Sequence, residues 1–246
     1  MKKITLGALF LGLGVCAQGA VLGELSRVPV TDTLKTWNRP IGQISDFCTG
    51  TLISSNLVLT AGHCVYDVQS DTFDTKLTFS PARNGVFSPY GTVKVVETFV
   101  NPRYFVNKDS KSDVAVLKLE THIGLKTGWM KIDFDLKSFV PAPTALGGWK
   151  APGTIQGYPG DKSQGTMWLA ACEFYLPTQL PLSPQYNCDT FGGMSGSALV
   201  VGDANGNSVI IGVHTTGHGN IVNSGITLTG QNAEFVRSVL NSQRLF

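Results

Sequence analysis

The feature that most constrains this chain is the rhythm of its apolar residues. Short runs of β type follow one another and are broken by turns. "GTLISSNLVLTA" holds two apolar stretches around a Ser-Asn turn, and "GTVKVVETFV" and "DVAVLKLE" carry β-branched residues with partial alternation. "GTIQGYPG", "TMWLAACEFYL", "GSALVV", "SVIIGVHT" and "GITLT" continue the pattern through the second half. The segments "ARNG", "NPRY", "GYPGDK" and "DANGN" read as the turns between them. Helical spacing is convincing only in "NAEFVRSVLNSQRLF", where Phe235, Val236, Val239 and Leu240 share one stripe. Many short strands, Gly/Pro turns and one terminal helix predict an all-β barrel or sandwich. The irregular stretch 124–148 is the natural boundary between two halves, and no fixed-period repeat is present.

Charge narrows the function classes. Only 15% of the 246 residues are charged and the net charge is +2, so no basic face dense enough for nucleic acid is expected. The start reads as an export signal: Lys2 and Lys3, then the apolar "ITLGALFLGLGV", then the small residues of "CAQGA". The apolar run is short for a transmembrane span. Residues 1–20 are therefore expected to be a signal peptide, cut after Gly19 or Ala20. A lipid anchor on Cys16 is disfavoured by the bulky Val15 before it. The protein is expected outside the cytoplasm, extracellular or periplasmic, as a monomer without stable membrane association.

Removing Cys16 leaves Cys48, Cys64, Cys172 and Cys188. An even number in an exported chain predicts disulfides. Three pairings are possible, and chain order favours Cys48–Cys64 and Cys172–Cys188. Each would close a loop of about 16 residues, worth about 3 kcal/mol if unstrained. No CxxC spacing supports a metal site.

Two segments carry candidate chemistry. In "LTAGHCV", His63 ends an apolar strand beside Cys64. In "CDTFGGMSGSALV", Gly192, Gly193 and Gly196 surround Ser195, so the backbone can turn tightly. The N–H groups of Gly193 and Ser195 could then bind the oxyanion formed when Ser195 attacks a carbonyl. On this segment alone, an ordinary Gly/Ser turn is an equal reading. A serine needs a base, and the base needs a carboxylate to fix its tautomer. Asp113 opens the strand "DVAVLKL" and suits that role, whereas Asp109 lies in the polar loop "NKDSKS". The elbow G-x-S-x-G of α/β-hydrolases does not fit, because Ser197 stands where its last Gly belongs.

"LTAGHC", "DVAVLKL" and "GGMSGSAL", in the order His, Asp, Ser, resemble the chymotrypsin-type serine endopeptidases over nearly the whole exported chain. The resemblance implies two six-stranded antiparallel β-barrels with the active site between them. It places His63 as base, Asp113 as orienting partner, Ser195 as nucleophile and Cys48–Cys64 as the clamp on the histidine loop. It implies an N-terminal barrel at 21–123, a linker at 124–148 and a C-terminal barrel with its helix at 149–246. Protein or peptide substrates are implied; no cofactor is expected, and no carboxylate cluster in the sequence makes a calcium site compelling, so no metal is expected.

Specificity rests on further matches. "CTGTLI", "AGHCVYD", "SPARNG", "PYGTVK", "GYPGDK", "GTMW" and "DTFGGMSGS" are similar to the bacterial glutamyl endopeptidase branch. That likeness implies cleavage after Glu, more weakly after Asp. His214 of "VHTTG" and Thr190 would contact the substrate carboxylate, with Thr215 supporting the catalytic Asp. Two rivals stay open: an Arg/Lys-specific trypsin-like enzyme using Asp189, and a non-catalytic binding protein on the same fold. Met194 replaces the acid that trypsin-like zymogens use for activation. The stretch "AVLGELSRVPVTDT" resembles the start of mature glutamyl endopeptidases, which implies an N-terminus near Ala20 or Val21 after signal cleavage, with trimming after Arg27 as the competing route.

Overall fold

The computed structural model describes residues 21–22, 27–142, 147–178, 183–218 and 222–243. The expected signal peptide, with Cys16, lies outside the described residues. Twelve strands build two antiparallel barrels. The first contains β1 (Ile41–Ile44), β2 (Cys48–Leu52), β3 (Leu57–Thr60), β4 (Thr78–Pro81), β5 (Val93–Val100) and β6 (Ala115–Leu119), closed in the order β1-β2-β3-β6-β5-β4. The second contains β7 (Trp149–Gly157), β8 (Trp168–Leu176), β9 (Gln185–Tyr186), β10 (Ala198–Gly202), β11 (Ser208–His218) and β12 (Val222–Thr227). Its ring runs β7-β8-β9-β12-β11-β10 and returns to β7. Closure leaves each six-stranded ring without a free edge.

Period-two alternation decides which barrel a residue fills. On β10, Leu199 and Val201 join the interior of the second barrel with Ile155, Phe174 and Ile211. Their neighbours Ala198 and Val200 join the larger cluster that runs into the first barrel. The same cluster takes Val236 and Val239 from the helix Gly230–Ser242, so the predicted apolar stripe packs across the seam. On β6 both faces are buried from Ala115 to Leu117, one facing the barrel and one facing its surroundings.

Three details were not legible in the sequence. Val28–Pro29 pairs with Leu169 and Trp168, so this early segment lies on the second barrel. Lys131–Ile132, within the irregular stretch, pairs parallel with Val209 and Ile210. "NPRY" is not a plain turn: Pro102–Phe105 is a one-turn helix, with Pro at its start and the Asn101 side chain accepting from the Arg103 N–H.

Candidate active site

The site is assembled at the seam. His63 follows β3 in the short 3-10 turn Gly62–Cys64, which is stapled to the start of β2 by the disulfide Cys48–Cys64. The second disulfide joins Cys172 to Cys188, so both favoured pairings are present. Asp113 ends the turn Ser110–Ser112 just before β6. The β3–β6 pairing sets Thr60 opposite Ala115 and brings these two strand ends together. Asp113 then grips His63 twice: Oδ1 accepts from the His63 backbone N–H at 2.9 Å, and Oδ2 contacts Nδ1 at 2.7 Å. The ring therefore carries its proton on Nδ1 and turns Nε2 away from the carboxylate. Burial opposes the imidazolium, but the charge and hydrogen bond of Asp113 outweigh it and raise the His63 pKa above its ordinary 6.5.

Ser195 sits on the loop before β10 and is 5% exposed. Its carbonyl accepts from the Thr49 N–H at 2.8 Å and lies 3.6 Å from Cys64 Sγ, so the loop packs directly on the histidine turn. Gly196 makes this approach possible: a Cβ there would lie 2.1 Å from Thr60 Oγ1 and 2.2 Å from the Thr49 carbonyl. No hydrogen bond joins Ser195 Oγ to His63 among the described residues; such bonds commonly tighten only when substrate is present.

The peptide planes of this loop are fixed by their carbonyls. The Gly160 N–H holds the Gly192 carbonyl at 2.7 Å, and the Ser197 N–H holds the Met194 carbonyl at 3.0 Å. In a trans peptide the N–H points opposite to the C=O. The N–H groups of Gly193 and Ser195 are thus aimed away from those partners, and neither is used in a hydrogen bond among the described residues. Gly193 adopts φ 98°, and a Cβ there would strike the Tyr158 carbonyl at 2.3 Å.

The specificity candidates are buried. Asp189 is 3% exposed, and its Oδ1 accepts from the backbone N–H of Leu22 at 2.6 Å. Among the described residues, neither Thr190 Oγ1 nor His214 Nε2 has a partner at full hydrogen-bond geometry, although the Ser224 carbonyl interacts with the His214 ring. His214 stands beside the Ser195 loop: its N–H donates to the Ser197 carbonyl, and its carbonyl accepts from the Gly196 N–H. Its Nδ1 lies 2.6 Å from the Tyr186 hydroxyl. Burial pushes the phenol pKa of Tyr186 far up, so it keeps its proton and donates it to Nδ1. That leaves the N–H of His214 on Nε2. Burial, then the charge of His63, push its pKa down to about 3, against the Ser224 carbonyl and Asp113. Thr215 is buried too, but its hydroxyl accepts from Thr216 Oγ1 at 3.1 Å and makes no hydrogen bond to Asp113 among the described residues.

Some contributors carried no sequence signal. Tyr186 is a lone tyrosine in a two-residue strand until the fold delivers it to His214. Arg27 is 8% exposed and forms a bidentate pair with Asp161 at 2.8 and 2.6 Å. It thereby fixes the segment entering Val28–Pro29 to the loop behind Gly192. One group has a metal-like composition, Cys48, His63 and Cys64, with ligand atoms within 4.8 Å of one another. It does not fit a metal: both sulfurs are spent in the disulfide and Asp113 occupies His63 Nδ1.

This geometry has close counterparts. The glutamyl endopeptidase of Bacillus licheniformis is 36% identical over 183 residues, covering 73% of this chain and 54% of that protein. A protein of Bacillus subtilis named an extracellular metalloprotease is 32% identical over 187 residues, covering 74% and 54%. The chain thus spans about half the length of these relatives. A solved structure of a Glu endopeptidase in complex with MPD matches with a TM-score of 0.75 at 32% identity, covering 89% of this chain and 99% of that one. The protease Anisep from Arthrobacter nicotinovorans shares the fold, with a TM-score of 0.65 at 18% identity over 90% and 97%. The family model described as Trypsin matches residues 28–229, and the chain belongs to the trypsin family.

Proposed function

We propose that this protein is a serine endopeptidase that cleaves peptide bonds after Glu, and less readily after Asp. One observation carries the reading: among the described residues, two buried polar atoms without full hydrogen-bond geometry to a partner, His214 Nε2 and Thr190 Oγ1, accompany a His63–Asp113 pair on a turn whose Cys64 packs against Ser195. Buried polar atoms without partners are costly, and a binding site is the usual reason for keeping them. A substrate carboxylate would accept from both, whereas the amide of Gln would set its NH2 against a donor.

In this mechanism Ser195 Oγ attacks the scissile carbonyl as its proton moves to His63 Nε2. Asp113 stabilises the resulting imidazolium through the 2.7 Å contact. The N–H groups of Gly193 and Ser195 hold the oxyanion, each worth about 3 kcal/mol of barrier. His63 then protonates the leaving amine, which leaves an acyl-enzyme on Ser195. Water, deprotonated by the same imidazole, releases the acid. Residues 21–123 supply the base and its carboxylate, 149–246 the nucleophile, and 124–148 link them.

The occupied carboxylate of Asp189 supports the Glu reading over the Arg/Lys rival, since the Leu22 N–H already holds it. The same contact supports a secreted chain beginning near residue 21 after signal cleavage. The buried Arg27 pair supports that version over trimming after Arg27. N-terminal sequencing that found only Val28 would overturn it.

The test is a peptide panel varied only at the residue before the cut, run with a serine-directed phosphonate. Glu peptides should be cleaved fastest and Ser195 should be labelled. Preferred cleavage after Arg or Lys would replace the specificity, and absent labelling with no cleavage would favour the binding-protein rival.

A further inference from the structure

Asn232, in the first turn of the terminal helix, ties three separate parts of the chain together. Its Nδ2 donates to the Lys111 carbonyl at 3.0 Å and to the Thr227 carbonyl at 3.2 Å, and its Oδ1 accepts from Asn101 Nδ2 at 3.0 Å. The three partners are the loop ending in Asp113, the end of β12 in the second barrel, and the residue after β5 in the first. Both amide protons and the amide oxygen are engaged.

The loop that Asn232 holds is rigid within itself. Asp109 accepts from the Lys111 N–H at 3.1 Å and from Ser112 Oγ at 3.1 Å, and the Ser112 N–H donates to the Asp109 carbonyl at 2.9 Å. Such a loop shifts as a unit, so its outside anchors decide where Asp113 sits. Packing supplies little on its outer side, where a cavity of about 610 Å³ is lined by Asp109, Lys111 and Ser112 facing Gln231 and Asn232. Arg103 ties the other end of the loop, where its carbonyl accepts from the Asp109 N–H at 3.0 Å; its side chain also reaches Asp109 at 3.3 Å and Gln231, but it is 45% exposed and water competes for it. Asn101, by contrast, is 2% exposed.

We propose that Asn232 is a positioning residue for the Asp113 carboxylate, holding loop 109–113, and through it His63, in register with Ser195 on the other barrel. This rests on the reading of Asp113 as the carboxylate that orients the base. The groups facing His63 are Asp113 and, from the second barrel, His214; Tyr104 lies behind Asp113. Among the described residues only Asp113 holds the His63 ring by a hydrogen bond, so the titration of His63 reports where the carboxylate is.

The experiment compares Asn232→Ala and Asn232→Asp with wild type. The aspartate keeps the shape and the acceptor for Asn101 but cannot donate to the two carbonyls. Both variants should lose roughly 10- to 100-fold in kcat with KM changed less than about twofold. In both, the His63 midpoint, read by imidazole NMR, should fall to or below the ordinary 6.5. Ser238→Ala, two turns along the same helix, should leave both readings unchanged. Folded variants with wild-type kcat and an unmoved His63 midpoint would overturn the proposal. If neither Asn232 variant folds, Asn101→Ser decides by the same midpoint, because serine can still cap the Pro102–Phe105 helix while the bond to Asn232 is lost. The NMR reading needs no turnover, so a wild type that cleaves nothing would fail the peptidase reading without deciding this one.

Discussion

His63 and His214 are the same residue in opposite surroundings. The His63 side chain is 22% exposed, faces a carboxylate and has a raised pKa. His214 is fully buried, faces a phenol and has a pKa near 3. The partner and the degree of burial divide the labour. A histidine with an acid can take a proton near neutral pH, while one with a neutral donor and no water stays uncharged and presents a fixed N–H. The first suits a base and the second suits a recognition group.

Substitutions should separate the two roles. His63→Ala is expected to reduce kcat by roughly 10⁵- to 10⁶-fold on every substrate alike, measured by single-turnover kinetics. Asp113→Asn should cost about 10⁴-fold, because the amide can hold His63 in the wrong tautomer. His214→Ala should reduce kcat/KM on Glu peptides by roughly 100-fold or more while sparing slow cleavage of Gln peptides. Equal losses on both would merge the two roles into one. Tyr186→Phe is the smallest change. It leaves Nδ1 of His214 buried without its donor, so stability should fall by about 1–3 kcal/mol in chemical denaturation, with a partial loss of Glu preference.

The pH dependences should diverge too. With His63 as the proposed base, kcat/KM should rise with pH through a midpoint above 6.5. The stability that His63 gains from Asp113 has the opposite sense: it is complete below pH 6.5 and is lost as pH rises through the elevated folded pKa. For His214 the folded pKa is depressed, so the unfolded chain binds the extra proton between pH 6.5 and about 3. Stability should therefore fall as pH drops across that window. Thermal unfolding of wild type and His214→Gln from pH 3 to 7 tests this, and the variant should lose much of the slope.

How far the sequence revealed each histidine follows from where its partners lie. His63, Asp113 and Ser195 sit in compact local patterns, each at a strand end, and the barrels follow from alternating apolar runs. Tyr186, Leu22 and Asn232 carry no such pattern. Leu22 is 167 residues from Asp189, and Asn232 is 121 residues from Lys111. Such contacts exist only once both barrels have closed. Val28–Pro29 reads with the first half of the sequence for the same reason: two residues are too few to show a period.

In the proposed mechanism an uncharged, buried His214 reads the carboxylate while His63 performs the chemistry. The most direct measurement is the ratio of kcat/KM for two peptides that differ only in Glu or Gln before the cut, in wild type and in His214→Ala. A strong Glu preference in wild type that collapses in the variant is predicted. An unchanged ratio would contradict the account.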